Sequence, residues 1–216
     1  MIPLYDETAP QLTIPYIVIG LILLNIIIFC VLLTGDLERA IKLYGMIPAE
    51  IFRGRRLVTL FSSMFIHAGA AHLISNMWFL WLFGDNIEHK LGALKFLLLY
   101  FLAGIVAGVT HLFFVSKEVY NVPVVGASGA ISGILGAYLV FFPHNQIRAF
   151  IVFGLRPLFF YLPAYLYIGV WFFLQLFFIG TPSQVAYEAH VGGFLTGLLF
   201  AFILSRLSHS KKATKV

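Results

Sequence analysis

Charged side chains make up only 11% of the 216 residues, and just 9 residues are acidic. A soluble domain carries about a quarter charged residues, so an ordinary water-soluble globule is excluded. Cysteine is nearly absent as well. The single thiol, Cys30, lies inside an apolar run, which rules out a disulfide scaffold and says nothing about redox compartment. A disordered chain is excluded by the opposite excess, 61% hydrophobic residues with a mean hydropathy of +0.96. The formal charge of +5 does not make this a nucleic-acid binder. Its basic residues are scattered among loops, with no basic face interleaved with aromatics. In so apolar a chain they read as membrane-topology signals.

What is there is a series of long apolar runs. They cover residues 14–34, 71–87, 93–115, 127–142, 158–179 and 189–207. A spanning helix takes about 20 apolar residues, so six spans use roughly 120 and leave little for a separate soluble domain. The expected fold is an all-α membrane protein, a bundle of six transmembrane helices over residues 14–207. A short N-terminal tail, 1–13, and a basic C-terminal tail, 208–216, flank it. The long first loop, 35–68, mixes charge with apolar residues at near-helical spacing, among them Leu43, Ile47, Ile51, Leu57, Phe61 and Phe65. That pattern predicts an interfacial segment lying on the bilayer.

An even number of spans puts both termini on one side. Lys90, Lys95, Arg148, Arg156, Arg206, Lys211, Lys212 and Lys215 then share that side, and Lys117 opposes them once the first loop is set aside. The excess orients the termini to the cytoplasm. Entry of residues 147–154 into the membrane is the alternative that changes the span count. Neither a cleavable signal peptide nor a transit segment is evident, so a prokaryotic inner membrane is expected, with an organelle membrane as the alternative.

Polar groups inside a bilayer are costly and face protein or a wet cavity. The second run opens with His72 and Asn76, the fourth with Gly126-Ala127-Ser128-Gly129, and the sixth with Ala189-His190. In a six-span topology all three runs enter from the same outer face, so these groups converge at one depth. The helix from Ser128 to Phe142, stopped by Pro143, is only about 22 Å long at 1.5 Å per residue. That is short of a hydrocarbon core of about 30 Å, so Ser128 is expected below the outer interface in a water-filled pocket. The pairs Gly129/Gly133 and Gly193/Gly197 are both GxxxG patterns, which let helices approach closely. They follow Ser128 and His190 directly, and their packing would bring hydroxyl and imidazole together.

A serine hydroxyl is a poor nucleophile without a base to take its proton, and a histidine can be that base. Free N–H groups at a helix start, here that of Ser128, favour an anion. His72 and Asn76, four apart, share one helical face. No acid lies in a span at this level, so a Ser–His dyad is expected rather than a triad.

At these positions the sequence resembles the rhomboid family of intramembrane serine proteases. The resemblance rests on His72-x-x-x-Asn76, Gly126-Ala127-Ser128-Gly129 and Ala189-His190-x-x-Gly193-x-x-x-Gly197, in order on the second, fourth and sixth runs. Arg56-Leu57-Val58-Thr59 and Glu88-x-x-x-Gly92 also match. It implies Ser128 as nucleophile, His190 as general base and acid, and His72, Asn76 and the Ser128 N–H as the oxyanion hole. It implies a six-helix rhomboid-like bundle that cleaves single-span membrane proteins in or near their membrane segment, among membrane lipids and without metal or cofactor. One departure stands out. Many members carry an aromatic four residues after the serine, packing on the histidine ring, where this chain has Ser132. Packing on His190 must then differ or come from another span.

Other readings are weaker. The sequence has no HExxH for a zinc protease and no pair of membrane-embedded aspartates. A transporter or channel calls for mid-membrane acids or broken helices. A catalytically silent, client-binding relative would have lost the serine or the histidine. Arg53, Arg55 and Arg56 are expected to cap the first loop or touch lipid headgroups rather than to bind substrate. The aromatic fifth run (Phe159, Phe160, Tyr161, Trp171, Phe172, Phe173) is expected to face lipid or pack, and to offer a sideways entrance for substrate.

Overall fold

The computed structural model describes residues 1–7, 14–154, 156–181 and 183–213, with side chains up to residue 207. Residues 8–13, Leu155, Pro182 and 214–216, which include parts of both expected tails and of the break before the sixth run, lie outside the described residues.

The chain is mostly helical. Helix α1 spans Tyr16–Leu33 and is followed by short helices α2 (Leu37–Tyr44), α3 (Pro48–Phe52) and α4 (Thr59–Ser62). The long helices α5 (Ala70–Leu91), α6 (Ala93–Phe114), α7 (Ser128–Phe141), α8 (Ala164–Phe178) and α9 (Tyr187–Ala213) complete it. Each apolar run therefore holds one helix. By length and composition, three of the described helices can cross a membrane: Tyr16–Leu33, Ala93–Phe114 and Tyr187–Leu207. α7 and α8 are apolar but shorter. α9 continues as helix to Ala213, past the expected start of a tail at residue 208.

Two expectations are corrected. The fold is not all-α, because strands β1 (Ile2–Asp6), β2 (Gln146–Phe153) and β3 (Arg156–Pro163) form an antiparallel sheet in the order β1-β2-β3. The fifth run also starts as strand, so Phe159, Phe160 and Tyr161 belong to β3 and only Trp171, Phe172 and Phe173 to α8. Prolines explain the split. Pro157 and Pro163 bracket β3, and helix begins only after the second. The partner segment, Gln-Ile-Arg-Ala-Phe-Ile-Val-Phe, is β-branched and aromatic and alternates at its start, burying Ile147 and Ala149. Arg148, on the other face, lies over the rings of Tyr5, Phe159 and Tyr161. Residues 2–6 are thus part of a sheet, and Asp6 accepts hydrogen bonds from Asn86 of α5 (2.9 Å) and from Tyr138 of α7.

The core lies between α5, α6 and α7, where Leu80, Phe83, Phe96, Leu99, Tyr100, Ile134 and Tyr138 are fully buried. Large apolar side chains such as Leu23, Ile27, Leu98, Phe113, Phe173, Phe177 and Leu199 point outward. A surface so apolar suits hydrocarbon better than water.

Local chemistry sets the joints. Gly92, at φ +77°, ends α5 and starts α6 in one turn. α1 has no cap of its own. Glu88 supplies it from α5, its carboxylate accepting the N–H groups of Ile17 (3.0 Å) and Val18 (2.8 Å). The Glu88 and Gly92 pattern is therefore a structural joint. Arg56 donates to the carbonyls of Lys42 (2.8 Å) and Leu43 at the end of α2, while Arg53 and Arg55 pair with Glu50. All three arginines thus cap or brace the first loop, in line with the capping expectation. The guanidinium of Arg55 holds the Glu50 carboxyl below the usual carboxylate range.

Candidate active site

Helix direction follows from what the glycines touch. A methyl added to Gly193 would strike the carbonyl of Gly129, and one on Gly197 would strike that of Gly133. Both pairs advance in the same direction, so α7 and α9 run parallel, backbone against backbone. Gly129 abuts Ala107 and Gly133 abuts Ala103, so α6 runs antiparallel to α7. His72 touches Gly126 near the start of α7 and Phe83 meets Tyr138 further along, so α5 is parallel to α7. The N-terminal ends of α5, α7 and α9 therefore gather at one end of the bundle, and each brings its polar residues with it.

α7 begins at Ser128, two residues after Gly126, which sits in the left-handed region at φ +121°. It ends where residue 142 leaves helical geometry ahead of Pro143. As the first helical residue, Ser128 keeps its backbone N–H outside the intrahelical ladder. His190, on the first turn of α9, places Nε2 at 2.9 Å from Ser128 Oγ. The close glycine contacts hold this distance, because Ser128 is the neighbour of Gly129 and His190 stands one turn before Gly193.

The other side of the imidazole is also engaged. Nδ1 of His190 lies 2.8 Å from Oε1 of Gln175 on α8. The Gln175 amide orientation is itself determined, since its Nε2 donates to the carbonyl of Trp171 at 3.0 Å and a carbonyl only accepts. Oε1 must therefore face His190 and accept from Nδ1–H. In the neutral ring this leaves the Nε2 lone pair facing the Ser128 hydroxyl. Trp171 stacks on the ring with centroids 6.1 Å apart, and Tyr187 meets it edge-on at 6.5 Å. The packing that Ser132 lacks thus comes from α8. Ser132 instead donates to the carbonyl of Ser128 at 2.7 Å.

His72 and Asn76 lie on the adjoining face of α5. A Cβ at Gly126 would fall 2.7 Å from His72 Nε2 and 3.8 Å from Ser128 Oγ, so only glycine lets the imidazole sit here. The Ala68 N–H reaches His72 Nδ1 at a long 3.5 Å, and Nε2 faces Gly126. Asn76 is buried and donates one amide hydrogen to the carbonyl of His72 at 2.8 Å, keeping a second. His67 packs edge-on against His72, with centroids 5.1 Å apart. Nδ1 of His111 on α6 lies 2.5 Å from the Glu188 carboxylate of α9, a hydrogen-bonded pair beside the site.

Of the residues singled out in the sequence, Ser128, His190, His72 and the glycines 126, 129, 133, 193 and 197 meet, while Asn76 is placed one turn along α5 by its bond to the His72 carbonyl. Sequence reasoning missed Gln175, Trp171 as the ring's cover, and the His111–Glu188 pair. The scarcity rule that found the others would have found Gln175, the one amide in an otherwise apolar and aromatic run. Among the described residues no cluster of three or more His, Cys, Asp or Glu is arranged to hold a metal.

The fold and site define a helical integral membrane protein with a hydroxyl–imidazole contact at the shared end of three helices. Residues 54–207 match the Rhomboid domain, and the chain belongs to the rhomboid family. It is similar to Rhomboid protein 1, mitochondrial, of Saccharomyces cerevisiae, with 25% identity covering 98% of this chain and 59% of that protein. RHOMBOID-like protein 6, mitochondrial, of Arabidopsis thaliana is 30% identical over 76% of this chain and 48% of that one. The human Presenilin-associated rhomboid-like protein, mitochondrial, is 31% identical over 60% of this chain and 34% of that one. The chain spans about a third to three-fifths of the length of these relatives.

Proposed function

We propose that this protein is an intramembrane serine endopeptidase that cleaves single-span membrane proteins within or near their membrane segment. The observation that supports it most is the 2.9 Å contact between His190 Nε2 and Ser128 Oγ, in a chain of the rhomboid family. His190 Nε2 takes the hydroxyl proton as Oγ attacks the scissile carbonyl carbon. The resulting oxyanion is met by the Ser128 N–H, His72 Nε2–H and the second amide hydrogen of Asn76. His190 returns its proton to the departing amine as the C–N bond breaks, leaving an acyl-enzyme. A water molecule, deprotonated by His190, attacks the ester and releases the carboxyl product with Ser128 regenerated.

Around this centre the proposal is a bundle of six spans over residues 14–207, with flanking segments 1–13 and 208–216 and both termini on one side. The site lies in a water-filled cavity below the opposite face. The membrane of residence departs from the sequence expectation. The relatives named above are mitochondrial by name, which runs against a prokaryotic inner membrane, and that expectation is dropped.

The test is fluorophosphonate labelling of the purified protein, with cleavage of model single-span substrates in liposomes. Labelling and cleavage should both disappear in Ser128→Ala. N-terminal sequencing of the product should place the cut in or near the membrane segment. A wild-type protein that neither labels nor cleaves refutes the proposal.

A further inference from the structure

We infer that Gln175 is a positioning residue for His190, fixing through its amide oxygen the tautomer in which Nε2 is free to accept the serine proton. The inference deepens the endopeptidase reading and rests on it.

An isolated Ser–His pair leaves a choice open. A neutral imidazole carries its proton on either nitrogen, and only the Nδ1–H form presents a lone pair to the hydroxyl. Something on the Nδ1 side must select that form. At this position the structure has Gln175, 93% withdrawn from solvent, with Oε1 at 2.8 Å from Nδ1. Its amide cannot turn over without placing an N–H against the imidazole and a carbonyl oxygen against the carbonyl of Trp171. The bond from Gln175 Nε2 to that carbonyl, 3.0 Å, therefore locks the acceptor in place. Burial adds weight, because a polar group out of water needs its partner more than an exposed one does.

The same helix covers the ring. Trp171, one turn before Gln175, stacks on the imidazole, and Phe172 stacks on Phe194 of α9 at 4.2 Å. On the opposite side α8 exposes Phe173 and Phe177. One face of α8 thus supplies both orienting contacts of the base. Its contacts with α9 are otherwise aromatic, so displacement of α8 would free the imidazole to rotate and to change tautomer. The competence of the base depends on the seating of α8.

The experiment compares the wild-type protein with Gln175→Leu and Gln175→Glu in detergent and liposomes. Leucine keeps roughly the volume and discards the acceptor. Glutamate keeps the acceptor and discards the amide donor. If Gln175 orients the base, Leu lowers kcat about ten- to hundredfold with KM little changed, while Glu retains most of the rate. If the residue only packs, Leu is active and Glu is the damaged variant. That ranking would overturn the inference.

Nitrogen-15 spectra of labelled histidine provide a readout independent of turnover. The wild type should show His190 protonated at Nδ1 alone, and Leu should show a mixture of tautomers. A wild-type ring protonated at Nε2 overturns the inference even if Gln175→Leu fails to fold. A wild-type protein with no activity but an Nδ1-protonated His190 refutes the endopeptidase reading and leaves the hydrogen bond standing.

Discussion

Gly193→Ala is the most searching perturbation of this site, because it adds one methyl group and no chemistry. The added carbon would collide with the carbonyl of Gly129 and press on its Cα at 3.4 Å. These atoms are helix backbone, with no rotamer to relieve the clash, so α7 and α9 must part. Restoring an ordinary contact of about 3.5 Å moves them by on the order of 1 Å. The same helices carry Ser128 Oγ and His190 Nε2, now 2.9 Å apart. A displacement of that size takes the pair beyond hydrogen-bonding range and, by the usual sensitivity of reacting geometries, costs up to about 100-fold in rate. Overpacking should also destabilise the fold by about 1–3 kcal/mol. The control is Gly169→Ala on α8, where an added Cβ meets nothing within 4 Å. There alanine should stabilise by about 0.5–1 kcal/mol through helix propensity. The assay pairs thermal unfolding in detergent with the rate of fluorophosphonate labelling. Wild-type labelling by a folded Gly193→Ala protein would refute the claim that glycine contact between α7 and α9 sets the Ser128–His190 distance.

Other perturbations separate chemistry from scaffold. His190→Ala should abolish cleavage yet leave stability in detergent within about 1–2 kcal/mol, and retained activity would show that the base is another group. Asn76→Ala should lower kcat about 100- to 1,000-fold with KM nearly unchanged, as for an oxyanion donor; a change in KM alone would count against that role. Glu88→Ala leaves the N–H groups of Ile17 and Val18 without their carboxylate. It should cost about 2–3 kcal/mol in a melt while sparing the labelling rate of the folded fraction. Arg56→Ala removes the donor to the last carbonyls of α2 at the protein surface, and should cost no more than about 1 kcal/mol by the same measurement.

The site was more legible in the sequence than the fold around it. Ser128, His190, His72 and Asn76 are conspicuous because lipid tolerates few polar groups, and each sits at the head of an apolar run. The paired GxxxG spacings announced which helices touch, and Gly129, Gly133, Gly193 and Gly197 do touch. The strands were illegible for a physical reason. Residues 146–163 are apolar in both halves, and in a hydrophobic background a short strand gives no contrast with a helix; only Pro157 and Pro163 hinted at the break. β1 is harder still, since Ile2–Asp6 is strand by virtue of pairing with residues more than 140 positions away.

By itself the sequence determined the membrane class, the apolar runs that became the long helices and the four polar residues of the site. Those properties follow from composition and local spacing, which are written residue by residue. Tertiary structure alone decided that Trp171 covers the imidazole, that Gln175 meets its Nδ1 and that Glu88 caps α1. Each of these depends on the angle and register at which two helices pack, and neither is encoded in the pattern of either helix alone.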